Sequence, residues 1–117
     1  VNILLINPFG IGDVLFSTPL ISLLKKSYPE SFIGYICNRR VESILASNPE
    51  IDEVYVFEKS EYEDLWRKSK KEWFRRRLSF INKIKKRSFD IAIDLSLGHR
   101  YSPFLMFAGI PKRIGYN

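Results

Sequence analysis

Short, almost uninterrupted apolar runs recur along this chain, and most are followed by residues whose apolar positions fall at helical spacing. Val1–Asn7 (VNILLIN), Phe32–Cys37, Val54–Phe57 and Ile91–Leu95 are runs of strand length. A strand that is apolar on both sides must be covered on both faces, which is the condition of a parallel sheet. Parallel neighbours need crossover connections, and the intervening segments are long enough to be helices. The alternation therefore predicts an α/β fold, a Rossmann-like parallel sheet with helices on both faces.

The connecting segments fit that frame. Asp13–Ser27 carries Val14, Leu15, Leu20, Ile21, Leu23 and Leu24 at helical spacing and ends on Lys25-Lys26, cations suited to a helix carboxyl end. Pro19 lies inside it, so either the helix kinks there or Ser17-Thr18 cap its main part. Val41–Ser47 reads as a short helix, and Asn48-Pro49 as a turn before the third strand. Glu61–Lys86 has apolar residues at 62, 65, 66, 73, 74, 78, 81 and 84, one long helical period. Tyr101–Ala108 reads as a helix, and Arg113–Tyr116 as a fifth strand. No Pro/Gly linker or repeat divides the chain, so residues 1–117 are expected to form a single domain.

Composition narrows the function. The 117 residues are 45% hydrophobic and only 27% charged, which excludes a disordered chain. Cys37 is the single cysteine, so no internal disulfide forms, and a reducing, cytoplasmic setting is expected. No apolar run approaches the ~20 residues of a membrane-spanning helix. The formal net charge of +6 is unevenly placed. From Lys59 to Arg87 there are 12 Lys+Arg against 4 Asp+Glu, while the remainder carries 7 against 9. A nucleic-acid binder usually spreads its cations over a docking face, so nucleic acid is not expected as a partner.

Ligands of open parallel sheets bind beyond the carboxyl ends of the strands. The loop Asn7-Pro8-Phe9-Gly10-Ile11-Gly12-Asp13 follows the first strand at that edge. Gly10 and Gly12 let the backbone turn tightly and bring amide groups close to a ligand. No Gly-Lys-Ser/Thr follows, so this is not a Walker loop; Leu15 stands where a dinucleotide fingerprint needs its third glycine. No cofactor is implied. Asp13, a carboxylate at the start of a helix on this edge, either caps the helix or acts as a general base toward a hydroxyl.

Two other features carry chemistry. His99-Arg100 follows the fourth strand at the same edge, where the pair either binds acidic sugar or phosphate oxygens or is simply solvated. A lone histidine without a Cys or carboxylate cluster gives no metal site. The Glu61–Lys86 segment joins Trp66, Trp73, Phe74 and Phe80 to a dense cationic face that includes Arg75, Arg76 and Arg77. That composition suits contact with an anionic membrane surface, and equally a helix packed on the sheet with its cations in water.

Taken in order, these pieces resemble a known family. Gly12-Asp13-Val14 with Ser17-Thr18-Pro19-Leu20, Asn48 to Val54 (NPEIDEV), Phe89 to Leu95 (FDIAIDL) and Phe107 to Gly115 (FAGIPKRIG) are similar to segments of glycosyltransferase family 9, the ADP-heptose:lipopolysaccharide heptosyltransferases. The resemblance implies the amino-terminal half of a two-domain GT-B enzyme, with the donor-binding carboxyl-terminal domain absent from these residues and this piece inactive alone. It implies inverting, metal-independent transfer of heptose or a related sugar from a nucleotide-sugar donor to a lipopolysaccharide-type acceptor. The family's catalytic aspartate falls at a Gly-Asp step, here Gly12-Asp13, which shifts the reading of Asp13 toward general base. Gly10, Gly12, His99 and Arg100 would then border the acceptor, and Trp66, Trp73, Arg75, Arg76 and Arg77 would meet an anionic acceptor or the inner face of the plasma membrane. The competing function is a non-catalytic module that uses the basic helix to hold an anionic membrane or polyanion.

Overall fold

The computed structural model describes residues 1–7, 11–95, 110 and 112–115. Its elements are β1 (Asn2–Ile6), α1 (Ile11–Phe16), α2 (Thr18–Ser27), β2 (Phe32–Cys37), a 3-10 turn (Arg39–Val41), α3 (Glu42–Ala46), β3 (Glu53–Val56), α4 (Lys59–Lys68), α5 (Lys70–Lys86), β4 (Ile91–Asp94) and β5 (Lys112–Gly115). The helix expected over Tyr101–Ala108 lies outside the described residues.

The five strands form one parallel sheet in the order β3-β2-β1-β4-β5. β1 sits between β2 and β4, with Leu4 opposite Gly34 on one side and Ala92 on the other. Because side chains alternate along a strand, β1 feeds both faces of the sheet. Ile3 and Leu5 point into one core with Val14, Ile21, Val41 and Leu45 of α1, α2, the 3-10 turn and α3. Leu4 and Ile6 point into the other with Tyr55, Phe89 and, from α5, Phe80 and Ile84. These two cores are the covered faces that the apolar runs required.

Two segments expected as single helices are each divided. The first breaks at Ser17, whose N–H bonds Val14 O at 3.1 Å in a tightened turn. Pro19, at the second position of α2, has no N–H to offer the Leu15 carbonyl, so α1 cannot run through it. Ser17 stands at the capping position, but its backbone is helical and its side chain makes no cap hydrogen bond. The second breaks at Ser69, which adopts an extended backbone (φ −159°, ψ 110°) and accepts from Glu72 N with its hydroxyl, starting α5 afresh. The unbroken apolar period of the sequence concealed this cap.

Polar side chains fix the edges of the sheet. The Asn48–Val54 segment is a staple: Asn48 Oδ1 accepts from Glu50 N at 2.9 Å, and Ser22 Oγ donates to Glu50 Oε1 at 2.7 Å. Asp52 Oδ2 then takes Ile33 N at 2.7 Å and Lys25 Nζ at 3.0 Å, joining α2 and β2 to the approach to β3. At the amino edge, Asn2 donates its N–H to Asp90 Oδ2 (2.8 Å) and its side-chain amide to Arg87 O (2.7 Å).

Candidate functional site at the carboxyl edge

The strand order reverses at β1: the chain moves outward to β2 and β3, then returns to place β4 on the other side. The crevice beyond the carboxyl ends of β1 and β4 is therefore the switch point at which such sheets bind ligands. α1 rises from the end of β1 at this point. Gly12 and Asp13 are its second and third residues. Gly12 is exposed, and a Cβ added there would meet nothing within 4 Å, so packing does not demand a glycine. The side chain of Asp13 is outside what the structure describes, as are Gly10, His99 and Arg100 altogether.

A buried hydrogen-bond chain seats α1 on the sheet. Asn7 is 2% exposed, and its N–H bonds Ile36 O at 3.0 Å. Asn7 Nδ2 donates to Tyr35 Oη at 3.1 Å, and Tyr35 Oη lies 2.8 Å from Ser17 Oγ. Ser17 spends its own hydroxyl hydrogen on Val14 O at 2.5 Å. Tyr35 must then donate to Ser17, which gives one direction to the chain from Asn7 through Tyr35 and Ser17 to the backbone of α1. Burial pushes the Tyr35 hydroxyl above its ordinary pKa, with Ser17 and Asn7 acting in the other direction. The phenol stays a neutral donor. This network went unnoticed in the sequence; its signal was a tyrosine inside the otherwise apolar β2 and an asparagine closing β1.

Replacing Tyr35 by Phe removes the middle link, and with it the Tyr35 bonds to Ser17 Oγ and Asn7 Nδ2 in the core. The expected loss is about 1–3 kcal/mol of stability, read from urea unfolding. Loss of less than a few tenths would mean that packing alone seats α1.

Other features complete this edge. Asp94, 6% exposed, ends β4 directly opposite Ile6, which adds a buried carboxylate one residue from the Asn7 level. Cys37 at the end of β2 is buried, and desolvation with the Glu42 charge pushes its thiol up to about 12, so it is no nucleophile. Among the described residues, no group of three or more His, Cys, Asp or Glu is arranged to hold a metal. Phe16 at the end of α1 stands 84% exposed. Trp66, Trp73, Arg75, Arg76 and Arg77 lie on α4 and α5, a separate surface from the β1–β4 crevice.

Comparison with known proteins places this geometry. No protein-family model matches the chain. A stretch of 44 residues is 46% identical to lipopolysaccharide heptosyltransferase 3 of Escherichia coli, covering 38% of this chain and 13% of that protein. Among solved structures, E. coli ADP-heptose LPS heptosyltransferase II superposes with a TM-score of 0.74 and 25% identity, over 98% of this chain and 30% of its own. E. coli heptosyltransferase WaaC with ADP gives 0.81 at 14% identity over 98% and 35%. A glycosyl transferase family 9 protein of Veillonella parvula gives 0.72 at 23% over 98% and 32%. The latter two show the fold. The chain thus spans about a third of the length of these structures. In sequence and in fold it is similar to the amino-terminal portion of the glycosyltransferase family 9 heptosyltransferases.

Proposed function

We propose that residues 1–117 form the acceptor-binding amino-terminal domain of an inverting, metal-independent glycosyltransferase that moves heptose, or a closely related sugar, from a nucleotide sugar onto a lipopolysaccharide-type acceptor. The observation that carries this reading is the position of the Gly12-Asp13 step: the first helix after β1, at the switch point of a sheet that superposes on heptosyltransferases. Asp13 takes the proton of the acceptor hydroxyl while that oxygen attacks the anomeric carbon, and the sugar–phosphate bond breaks on the opposite side. The electron pair leaves with the nucleotide diphosphate, whose charge requires donors or cations that a second, donor-binding domain supplies. Gly10 and Gly12 border the acceptor, where a residue without a side chain leaves a sugar free to approach the backbone. His99 and Arg100, on the segment after β4, face acidic groups of the acceptor.

The test uses the full-length protein with ADP-heptose and a heptose-deficient lipopolysaccharide core. Transfer of one heptose, seen by mass spectrometry and persisting in excess EDTA, is the expected result. Absence of transfer to any truncated core, with ADP-heptose left intact, overturns the reading.

A further inference from the structure

We infer that the open edge of β3 is a docking slot for an extended segment of a partner protein, one that alternates acidic and apolar residues and joins the sheet as a further strand. β3 is the last strand on its side of the sheet and, among the described residues, pairs with β2 alone. A strand so placed leaves a row of N–H and C=O groups unpaired, which is a template for another chain unless something covers it. Here the edge is the floor of a concavity of about 680 Å³. Arg39 of the 3-10 turn and Glu42 of α3 wall it on one face of the sheet. Phe80, Lys83 and Lys86 of α5, with Arg87 just past its end, wall it on the other.

The walls select a lone strand over a second copy of this chain. At about 3.3 Å per residue, β3 offers roughly 13 Å of edge, enough for a short extended segment. Edge-to-edge pairing of two copies needs their β3 strands about 4.8 Å apart. Each copy would then drive its own α3 and α5 against the walls of the other. An extended segment brings no such layers with it. The slot is also two strands away from β1, so its occupant does not compete for the β1–β4 crevice.

The lining sets the side chains of that segment. Side chains alternate along a strand, so an added strand sends every second one toward α5 and the others toward α3. Toward α5 it meets Lys83 and Lys86, which have no carboxylate partner among the described residues. Arg87 and Arg39, by contrast, are held by Glu53 and Glu61. Tyr55 Oη, in the same lining, is buried and makes no hydrogen bond. Burial, reinforced by the Glu53 charge, pushes this phenol up to about 12, so it remains a donor at neutral pH. Two unpaired ammonium groups and an unused hydroxyl donor match carboxylates. Toward α3 the floor is Val54 and Val56, with Glu42 beside them, which suits apolar side chains and opposes acidic ones. Backbone pairing supplies the affinity, and the alternation fixes the register.

The experiment is fluorescence anisotropy of the full-length protein with a labelled, end-capped peptide of alternating Glu and Val, about six residues long, the usual length of a strand. This peptide should bind at least about tenfold tighter than one with Lys in place of Glu, and the gap should narrow with salt. N-methylation of one alternate set of peptide amides should abolish binding, and methylation of the other set should leave it, because only one set faces β3. Lys83→Gln/Lys86→Gln should remove most of the preference for Glu over Lys. Both positions are exposed, and circular dichroism checks that the variant folds. Equal binding of the two peptides overturns the proposal. So does equal loss with either methylated set, which would mean charge capture without strand pairing. A dimer in sedimentation velocity that the peptide cannot dissociate overturns it too, by giving the edge to a second copy. Peptide binding is read without sugar transfer, so its failure leaves the catalytic reading standing on its own test.

Discussion

Asp13→Asn in the full-length protein is expected to lower kcat for sugar transfer by about 100- to 10,000-fold, the usual contribution of a positioned general base. The substitution separates the two roles open to this residue. Asn serves the first turn of a helix nearly as well as Asp, so a residue that only helps start α1 would tolerate it. An amide cannot take a proton from an attacking hydroxyl. The stability of Asp13→Asn should stay near that of the parent, and KM for the nucleotide sugar should change little. Asp13→Ala should lose at least as much turnover. Turnover within about twofold of the parent in both variants would reduce Asp13 to a residue of the helix start.

Gly34→Ala is the second large effect, this time on the fold. Gly34 lies in the middle of β2, and a Cβ there would come within 2.6 Å of Phe89 Cζ and 2.9 Å of Tyr55 Cε2. Neither ring has room to yield. Phe89 and Tyr55 are 3% and 4% exposed, packed edge to face on each other at 6.2 Å, and Phe89 also leans on Phe32 at 6.0 Å. Overpacking of this kind costs about 1–3 kcal/mol, and a domain of this size loses roughly 4–8 °C of Tm per kcal/mol. A thermal melt should therefore fall by about 5–20 °C. Gly12→Ala is the matching control, because nothing surrounds that position. Its Tm should hold or rise slightly, as expected for Gly to Ala in a helix. An unchanged Tm in Gly34→Ala would mean that the rings move aside and that β2 tolerates a side chain there.

These residues show how far the sequence could be read. β2 was legible to the residue, Phe32–Cys37, because a continuous apolar run between polar neighbours leaves no other register. The fifth strand, expected over Arg113–Tyr116, begins one residue earlier at Lys112. The division at Ser69 had a signal, a serine followed three residues later by Glu72, but an apolar period running through the break outweighed it. The Asn7–Tyr35–Ser17 chain had no local signal of that strength. Its members are 28 and 18 positions apart and meet only after β1 and β2 have paired and α1 has folded back over them. Gly34 is similar: a glycine in a strand hints at a close approach, but the approaching ring belongs to Phe89, 55 positions later. Gly12-Asp13 was legible for another reason. A short turn beyond a buried strand puts its residues at the sheet edge whatever the rest of the chain does.

The central place of β1 also bears on how the molecule assembles in time. Ile3–Ile6 pairs with β2 about 30 positions away, but its other edge is completed only by β4, some 88 positions along the chain. During synthesis at about 5–20 residues per second, the first strand therefore waits several seconds with one ladder unmade. Closing so long a loop costs chain entropy that only the finished sheet offsets, which makes the β1–β4 ladder a late step in folding. The Asn2 bonds to Asp90 and Arg87 form with that ladder and lock it at its amino end. The crevice beyond β1 and β4, and with it any chemistry at Asp13, comes into being only when this long-range pairing closes.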